Sequence, residues 1–145
     1  MPIRRPRHPG AVVVVFQGGC PQGTRTPRLW HPASVRAVLL THALRRRLRP
    51  DGIRVVRARY GAVGWNDGAR IDDGRAALDR VRHRFPGVPV GIVGHSMGAR
   101  VALHLLSEPG VAAAATVAAW IPAADLPDVT PTPGLPVRVL HGRHD

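Results

Sequence analysis

The chain has 145 residues, of which 44% are hydrophobic, a length and composition typical of one globular domain. Its longest apolar stretch, Val111 to Trp120, is much shorter than the roughly 20 residues that a membrane helix needs. Cys20 is the only cysteine, which excludes an internal disulfide. These values predict a single domain over residues 1–145, with no association with a membrane.

The formal net charge is +12, and all 21 basic residues are arginine. Such a charge raises the hypothesis of a nucleic-acid partner. The arginines cluster in 45–49 and 80–84, however, at the ends of two predicted helices, where cations complement the helix dipole. No basic run is interleaved with aromatic residues. We therefore expect no nucleic-acid partner, and keep a nucleic-acid-binding protein of flavodoxin-like topology as a rival hypothesis.

The first ten residues carry three arginines and lead into the apolar stretch Val12–Phe16, an order that resembles a signal peptide. Gln17-Gly18-Gly19 interrupts the apolar stretch, and no convincing small-residue cleavage site follows. The stretch is therefore predicted to be the first strand, and the protein is expected to be cytoplasmic.

Five short segments rich in apolar or β-branched residues and bounded by Gly or Pro predict strands. These are Val12–Phe16, Ile53–Arg59, Val88–Val93, Val111–Ala119 and Val137–Leu140. The fourth is rich in alanine, which prefers helices, so only its place in the alternation and its few larger residues favour a strand.

Apolar residues at three- or four-residue spacing predict helices between the strands, over Ala33–Leu48, Ile71–Phe85 and Met97–Leu106. Pro122–Pro136 is rich in Pro, Asp and Thr and is predicted to be a surface loop. Strand and helix thus alternate along the chain, which indicates a mostly parallel sheet between two helical layers.

The most apolar segments, Val12–Phe16 and Val88–Val93, fit the centre of such a sheet. Ile53–Arg59 has three interleaved arginines and fits an edge. The prediction is a three-layer α/β/α fold with the strand order 2-1-3-4-5.

One motif carries chemistry: Gly94-His95-Ser96-Met97-Gly98 follows a predicted buried strand and precedes an apolar helix. In this context a serine is forced into a tight turn that exposes its hydroxyl above the sheet, and the helix N-terminus directs amide groups at any oxyanion formed there. The alternative is a plain glycine-flanked turn between a strand and a helix.

With this motif the chain resembles the α/β-hydrolase family. The stretch from Val12 to Gly19 is similar to the family's first core strand followed by its oxyanion loop, although Gln17 stands where histidine is common. The resemblance implies that Ser96 is the nucleophile and that the backbone amides of Gly19 and Met97 form the oxyanion hole. Cys20 is the alternative donor to Gly19, and a simple strand-ending turn is the alternative for the two glycines.

The segment from Val139 to Asp145 resembles the family's penultimate strand, after which the acid of the triad follows, so the resemblance makes Asp145 the acid. In the family the catalytic histidine comes later still, but all eight histidines precede Asp145. His95 occupies a position where the family often has a structural histidine. We therefore expect a truncated family member that lacks its last strand and its histidine.

Two alternatives concern the end of the chain. His144 could act as the base, although adjacent residues rarely aim both side chains as a triad needs. His141, His144 and Asp145 could bind a metal, but no further supporting partner is evident. We expect no metal and no organic cofactor.

The resemblance implies a serine hydrolase acting on ester or thioester bonds of a small molecule, weak or inactive as printed because the histidine is missing. The rival hypothesis is a non-catalytic relic or binding module. Four aromatic residues fall near the expected pocket and either line an acyl site or belong to the core: Trp30, Tyr60, Trp65 and Trp120.

Overall fold

The computed structural model describes residues 8–143 and shows strands alternating with helices. The elements are β1 (Ala11–Phe16), α1 (Pro32–Leu48), β2 (Ile53–Arg57), α2 (Ala69–Arg84), β3 (Val90–His95), α3 (Met97–His104), β4 (Val111–Val117) and β5 (Val137–Leu140). Short 3-10 helices lie at Arg49–Asp51, Asn66–Gly68 and Ala123–Asp128.

The strands form one parallel sheet in the order β2-β1-β3-β4-β5, which confirms the predicted fold class and strand order. β1 lies between β2 and β3, so that Val14 pairs with Val56 on one side and with Ile92 on the other. β2 and β5 are the edge strands among the described residues. β5 leaves Val139 and Leu140 more than half exposed.

The alanine-rich segment is strand β4, as predicted from its place in the alternation. It pairs with β3 and β5, and pairing on both sides satisfies its backbone groups and overrides the modest helix preference of alanine. The strand ends at Val117 because Ala118 adopts a positive φ of 47°, so the predicted extension to Ala119 was wrong.

Other predicted boundaries also shift. β2 ends two residues earlier than expected, at Arg57, and α3 ends at His104 rather than Leu106. The segment 122–136 is not wholly irregular, because it contains the 3-10 helix Ala123–Asp128.

The main core lies between the sheet and the helices α2 and α3. Its members include Val14 and Phe16 of β1, Leu78 of α2 and Leu105 just after α3. α1 packs against β1 and β2 and buries Ala37. Within residues 8–143, no helix is both long and apolar enough to cross a membrane.

The packing of the core predicts that two leucines on helices differ strongly in how much their substitution by alanine destabilises the protein. Leu78 of α2 is 0% exposed, whereas Leu39 of α1 is 64% exposed. We expect Leu78→Ala to lower the free energy of unfolding by about 2–5 kcal/mol, because it removes buried methyl groups and leaves a cavity. Leu39→Ala is the matched control and should change it by less than about 0.5 kcal/mol. Urea unfolding of both variants measures the difference, and equal losses would contradict the described packing.

Candidate active site

Ser96 lies in the turn between β3 and α3, where the sequence predicted it. Its backbone has φ 53° and ψ −119°, a conformation that costs a residue with a side chain about 1–3 kcal/mol. Its amide donates to the carbonyl of Val117 on β4 at 2.9 Å, and its own carbonyl accepts from Ala99 at 3.0 Å. The turn is thus held by the neighbouring strand on one side and by the helix on the other.

The flanking glycines are required by close backbone contacts. A Cβ added at Gly94 would lie 2.3 Å from the carbonyl oxygen of Gly98. A Cβ at Gly98 would lie 2.0 Å from the carbonyl oxygen of Phe16 at the end of β1. Only glycine at both positions allows α3 to start so close to the sheet.

The loop that follows β1 passes directly beside the serine. A Cβ at Gly18 would lie 3.5 Å from the Cβ of Ser96 and 3.4 Å from the carbonyl oxygen of His95. From the neighbouring strands β1 and β3, the connections of the chain run in opposite directions across the sheet. Open α/β sheets bind ligands in the crevice at the carboxyl ends of two such strands. Ser96 and the predicted oxyanion loop therefore meet at the place that this topology favours for a site.

The two candidate donors on this loop differ in their hydrogen bonding. The Cys20 amide donates to the carbonyl of Val63 at 3.2 Å and is therefore occupied. The Gly19 amide donates to no acceptor in the described part of the chain. Met97 is the first residue of α3, so its amide belongs to the group that has no partner inside the helix. This arrangement leaves the amides of Gly19 and Met97 available to an anion.

Arg70 supports the same loop from the side away from Ser96, and sequence reasoning missed it. Its side chain is 1% exposed. One terminal nitrogen donates to the carbonyls of Gln17 and Gly18, both at 3.2 Å, and the other donates to the carbonyls of Val63 at 2.8 Å and Ala62 at 3.4 Å. One guanidinium thus links the loop after β1 to the loop after β2.

No sequence pattern pointed to Arg70. The predicted helix began at Ile71, which left Arg70 outside it, whereas α2 begins at Ala69 and Arg70 is its second residue. The dipole disfavours a cation in the first turn of a helix, and the contacts of Arg70 with the loop carbonyls hold it there.

The two loops are also joined by backbone and amide contacts. Cys20 and Gly64 form an isolated parallel bridge. The side chain of Asn66 donates to the carbonyl of Gly23 at 2.7 Å and accepts from the Gly23 amide at 3.0 Å. Asn66 has a positive φ of 47°, which asparagine tolerates better than most residues.

A second polar cluster lies on α3, on the side of the 3-10 helix Ala123–Asp128. Arg100 donates to both carboxylate oxygens of Asp125, at 2.5 and 2.8 Å, and the Nε2 of His104 lies 2.9 Å from one of them. Hydrogen bonds from Arg100 are the main cause that lowers the pKa of Asp125 from its ordinary value of 3.8. Sequence reasoning missed this cluster, because Asp125 lies 25 residues from Arg100 in a segment predicted to be an irregular loop.

The four predicted aromatic residues divide into two pairs. Tyr60 and Trp65 are buried and belong to the core, and burial raises the pKa of Tyr60. Trp30 is 69% exposed and Trp120 is 44% exposed. The backbone amide of Trp120 is 3.5 Å from the carbonyl of Ser96, and the centre of the Trp120 ring lies 5.2 Å from the guanidinium carbon of Arg100.

No described histidine forms a hydrogen bond with the Ser96 hydroxyl. His95 is half-buried, and its pKa is lowered by burial and by the nearby charge of Arg36. Asp145 and His144, the predicted acid and the alternative base, lie outside the described residues. The suggested metal cluster includes both of them, and residues 8–143 contain no other group of three possible metal ligands.

Comparisons with known proteins identify the fold. No protein-family model and no curated protein matches the sequence. Among solved structures, the chain is similar to XC6422 from Xanthomonas campestris, a member of the α/β serine hydrolases without a lid, with a TM-score of 0.67 and 24% identity. The match covers 95% of this chain and 61% of that protein. The chain therefore has the α/β-hydrolase fold and spans about three-fifths of the length of that structure.

The close contact at Gly98 generates a prediction about stability. We expect Gly98→Ala to lower the free energy of unfolding by about 3 kcal/mol or to prevent folding, because the added methyl group meets the backbone of Phe16. Gly10→Ala is the control, since a Cβ there meets nothing within 4 Å. Thermal unfolding followed by circular dichroism compares the two variants, and a Gly98→Ala variant as stable as the control would contradict the described turn.

The ion pair of Asp125 predicts a dependence of stability on pH. A carboxyl group whose pKa is lowered on folding stabilises the protein above its unfolded pKa, and this contribution is lost as the pH falls through the folded pKa. Asp125→Asn should therefore cost about 1–3 kcal/mol at pH 7, the penalty of leaving buried donors of Arg100 without their acceptor, and the difference from the wild type should shrink below pH 3.8.

Urea unfolding at a series of pH values from 7 downwards measures this difference. Asp128→Asn, at an exposed carboxylate of the same segment, is the control and should stay within about 0.5 kcal/mol of the wild type. A cost for Asp125→Asn that stays constant over the whole series would contradict the ion pair.

Proposed function

We propose that this protein is a serine hydrolase that cleaves ester or thioester bonds of a small acyl substrate. The observation that carries the proposal is the conformation of Ser96. A serine with a positive φ, between a central parallel strand and a buried helix, has the geometry of a nucleophile elbow. A chemical role for the Ser96 hydroxyl explains why the chain bears the cost of this conformation.

In the proposed reaction the Ser96 Oγ attacks the carbonyl carbon of the substrate and loses its proton to a base. The tetrahedral oxyanion accepts hydrogen bonds from the amides of Gly19 and Met97. Its collapse releases the alcohol or thiol, which receives the proton, and leaves an acyl group on Ser96. Water then attacks the acyl group with help from the same base and frees the acid. The reaction requires no metal and no organic cofactor.

The free amide of Gly19 supports its choice over Cys20, whose amide is engaged by Val63. The N-terminal end of α3 adds a favourable dipole at the same place. Removal of a single oxyanion donor typically costs about 10²–10³ in kcat, so this assignment matters for the rate.

The acid and the base of the proposed triad lie outside the described residues. We propose Asp145 as the acid and a histidine that also lies outside them as the base. Loss of the base from such a triad costs on the order of a millionfold in rate. A chain without it retains only the contributions of substrate binding and the oxyanion hole.

Two partly exposed apolar residues at the carboxyl ends of β4 and β5 support an acyl substrate. The backbone amide of Trp120, which follows β4, lies 3.5 Å from the Ser96 carbonyl, and Leu140 ends β5, where its carbonyl accepts from Ala118. Trp120 is 44% and Leu140 is 56% exposed, and apolar walls with a few polar groups are typical of sites for small molecules. We propose that the partner is such a molecule rather than a nucleic acid, and that the protein acts in the cytoplasm.

The second candidate is a non-catalytic relic that keeps the pocket and binds a ligand. The observation in its favour is that no described histidine forms a hydrogen bond with the Ser96 hydroxyl. The two candidates differ in whether Ser96 reacts.

A fluorophosphonate probe tests the proposed nucleophile. We expect slow covalent labelling of the wild type that is lost in Ser96→Ala, because the probe reacts with activated serines through an oxyanion-like transition state. Ser107→Ala, at an exposed serine beyond α3, is the control and should be labelled like the wild type. Mass spectrometry of intact protein and of peptides measures the extent and the position of the label. Absence of labelling in a folded form that contains the acid and the base of the triad would favour the relic.

A further inference from the structure

Arg70 and Ser96 lie on opposite sides of the loop Gln17–Gly19. The Cβ position of Gly18 faces Ser96 at 3.5 Å, while the carbonyl oxygens of Gln17 and Gly18 face the guanidinium of Arg70. The Cβ position of Gly19 is 2.6 Å from an Arg70 nitrogen, so any larger residue at 19 would displace the guanidinium. The guanidinium of Arg70 therefore packs directly against the backbone of the loop.

This contact fixes the orientation of the Gly19 amide. The carbonyl of Gly18 and the N–H of Gly19 belong to one planar peptide unit, and the described residues contain no cis peptide bond. In a trans unit the two groups point in opposite directions. Because the Gly18 carbonyl points at Arg70, the Gly19 N–H points away from Arg70.

Arg70 forms no ion pair with a carboxylate in the described part of the chain, although the nearby charge of Asp73 favours its charged form. Its partners are four backbone carbonyls and the ring of Tyr60, whose centroid is 4.1 Å from the guanidinium carbon. Burial lowers the pKa of Arg70, but arginine remains protonated in proteins. A buried cation that polarises the Gly18–Gly19 peptide strengthens the N–H at its far end as a donor.

We propose that Arg70 is the positioning residue of the oxyanion hole: it holds the Gly18 carbonyl so that the Gly19 amide is directed at the oxyanion formed on the substrate of Ser96. The inference rests on the proposed function, because it assigns a role in that reaction. Arg70 itself does not touch the substrate.

The proposal predicts that Arg70 variants label Ser96 more slowly than the wild type, by more than their loss of stability explains. We expect Arg70→Gln to slow fluorophosphonate labelling of Ser96 about 10- to 100-fold, a loss smaller than or equal to that of a missing oxyanion donor. Arg70→Lys keeps the charge but cannot span four carbonyls, so we expect a loss of about 10-fold. Arg80→Gln and Arg80→Lys are the controls, since Arg80 is an exposed residue of the same helix, and their rates should equal that of the wild type.

The experiment measures the second-order rate constant of labelling, normalised to the final labelled fraction, together with the melting temperature. Normalisation removes unfolded molecules from the comparison, so a purely structural role lowers the melting temperature and the labelled fraction but leaves the rate constant unchanged. A second readout is the split between kcat and KM for p-nitrophenyl acetate, measured on a form that contains the acid and the base of the triad. We expect kcat to fall and KM to stay within about twofold, because the amide acts in the transition state.

The outcomes separate the two proposals. A folded form that contains the acid and the base of the triad but shows no Ser96-dependent labelling would refute the proposed function, and the role of Arg70 would fall with it. A labelled wild type whose Arg70 variants react within twofold of its rate would refute the role of Arg70 alone. If Arg70→Gln does not fold, Arg70→Lys decides, and failure of both variants to fold would make Arg70 a purely structural residue and overturn the proposal.

Discussion

The approach of α3 to the end of β1 is the constraint on which the rest of the site depends. The backbone at Gly98 lies so close to the carbonyl of Phe16 that no side chain fits between them. To bring the helix this near, the chain must reverse within one residue after β3, and that residue is Ser96. Its unfavourable φ is the local cost of the contact, and the hydrogen bonds of its amide and carbonyl hold it in place.

The order of the strands was predictable because the degree of burial of a strand determines how many polar residues its sequence contains. A strand with neighbours on both sides and helices on both faces has few polar residues, as in Val12–Phe16. An edge strand tolerates charges, as β2 does with Arg54 and Arg57. The position of Ser96 was predictable for a related reason, since its motif spans five residues and the turn that it forms is local.

The supporting residues could not be predicted in the same way. Arg70 binds carbonyls 52 and 53 residues away, and Asp125 binds Arg100 across 25 residues. Such contacts depend on how loops pass over the sheet, and no periodic pattern records them. The same holds for the Gly19 amide. It has no partner among the described residues because the carbonyl of Val63, in the loop after β2, accepts from the Cys20 amide instead.

The basic composition also has an explanation inside the molecule. Arg70 and Arg100 are buried, and Arg45 donates to the carbonyl of Val55 at 3.0 Å. Arginine suits these positions because its planar group offers several donors at once. Part of the net charge therefore stabilises loops and helix ends, which weakens the inference from charge to a polyanionic partner.

The double hydrogen bond between Asn66 and Gly23 has a consequence for the evolution of such a protein. It couples two surface segments that would otherwise vary independently, since a change of length in either one separates the amide from its partner. Insertions and deletions in the two segments should therefore be tolerated in compensating pairs more readily than singly. A library that varies the segment around Gly23 or the segment around Asn66 alone would contain mostly variants in which the two loops no longer pair. A library that varies both segments together would still contain variants that form the two hydrogen bonds.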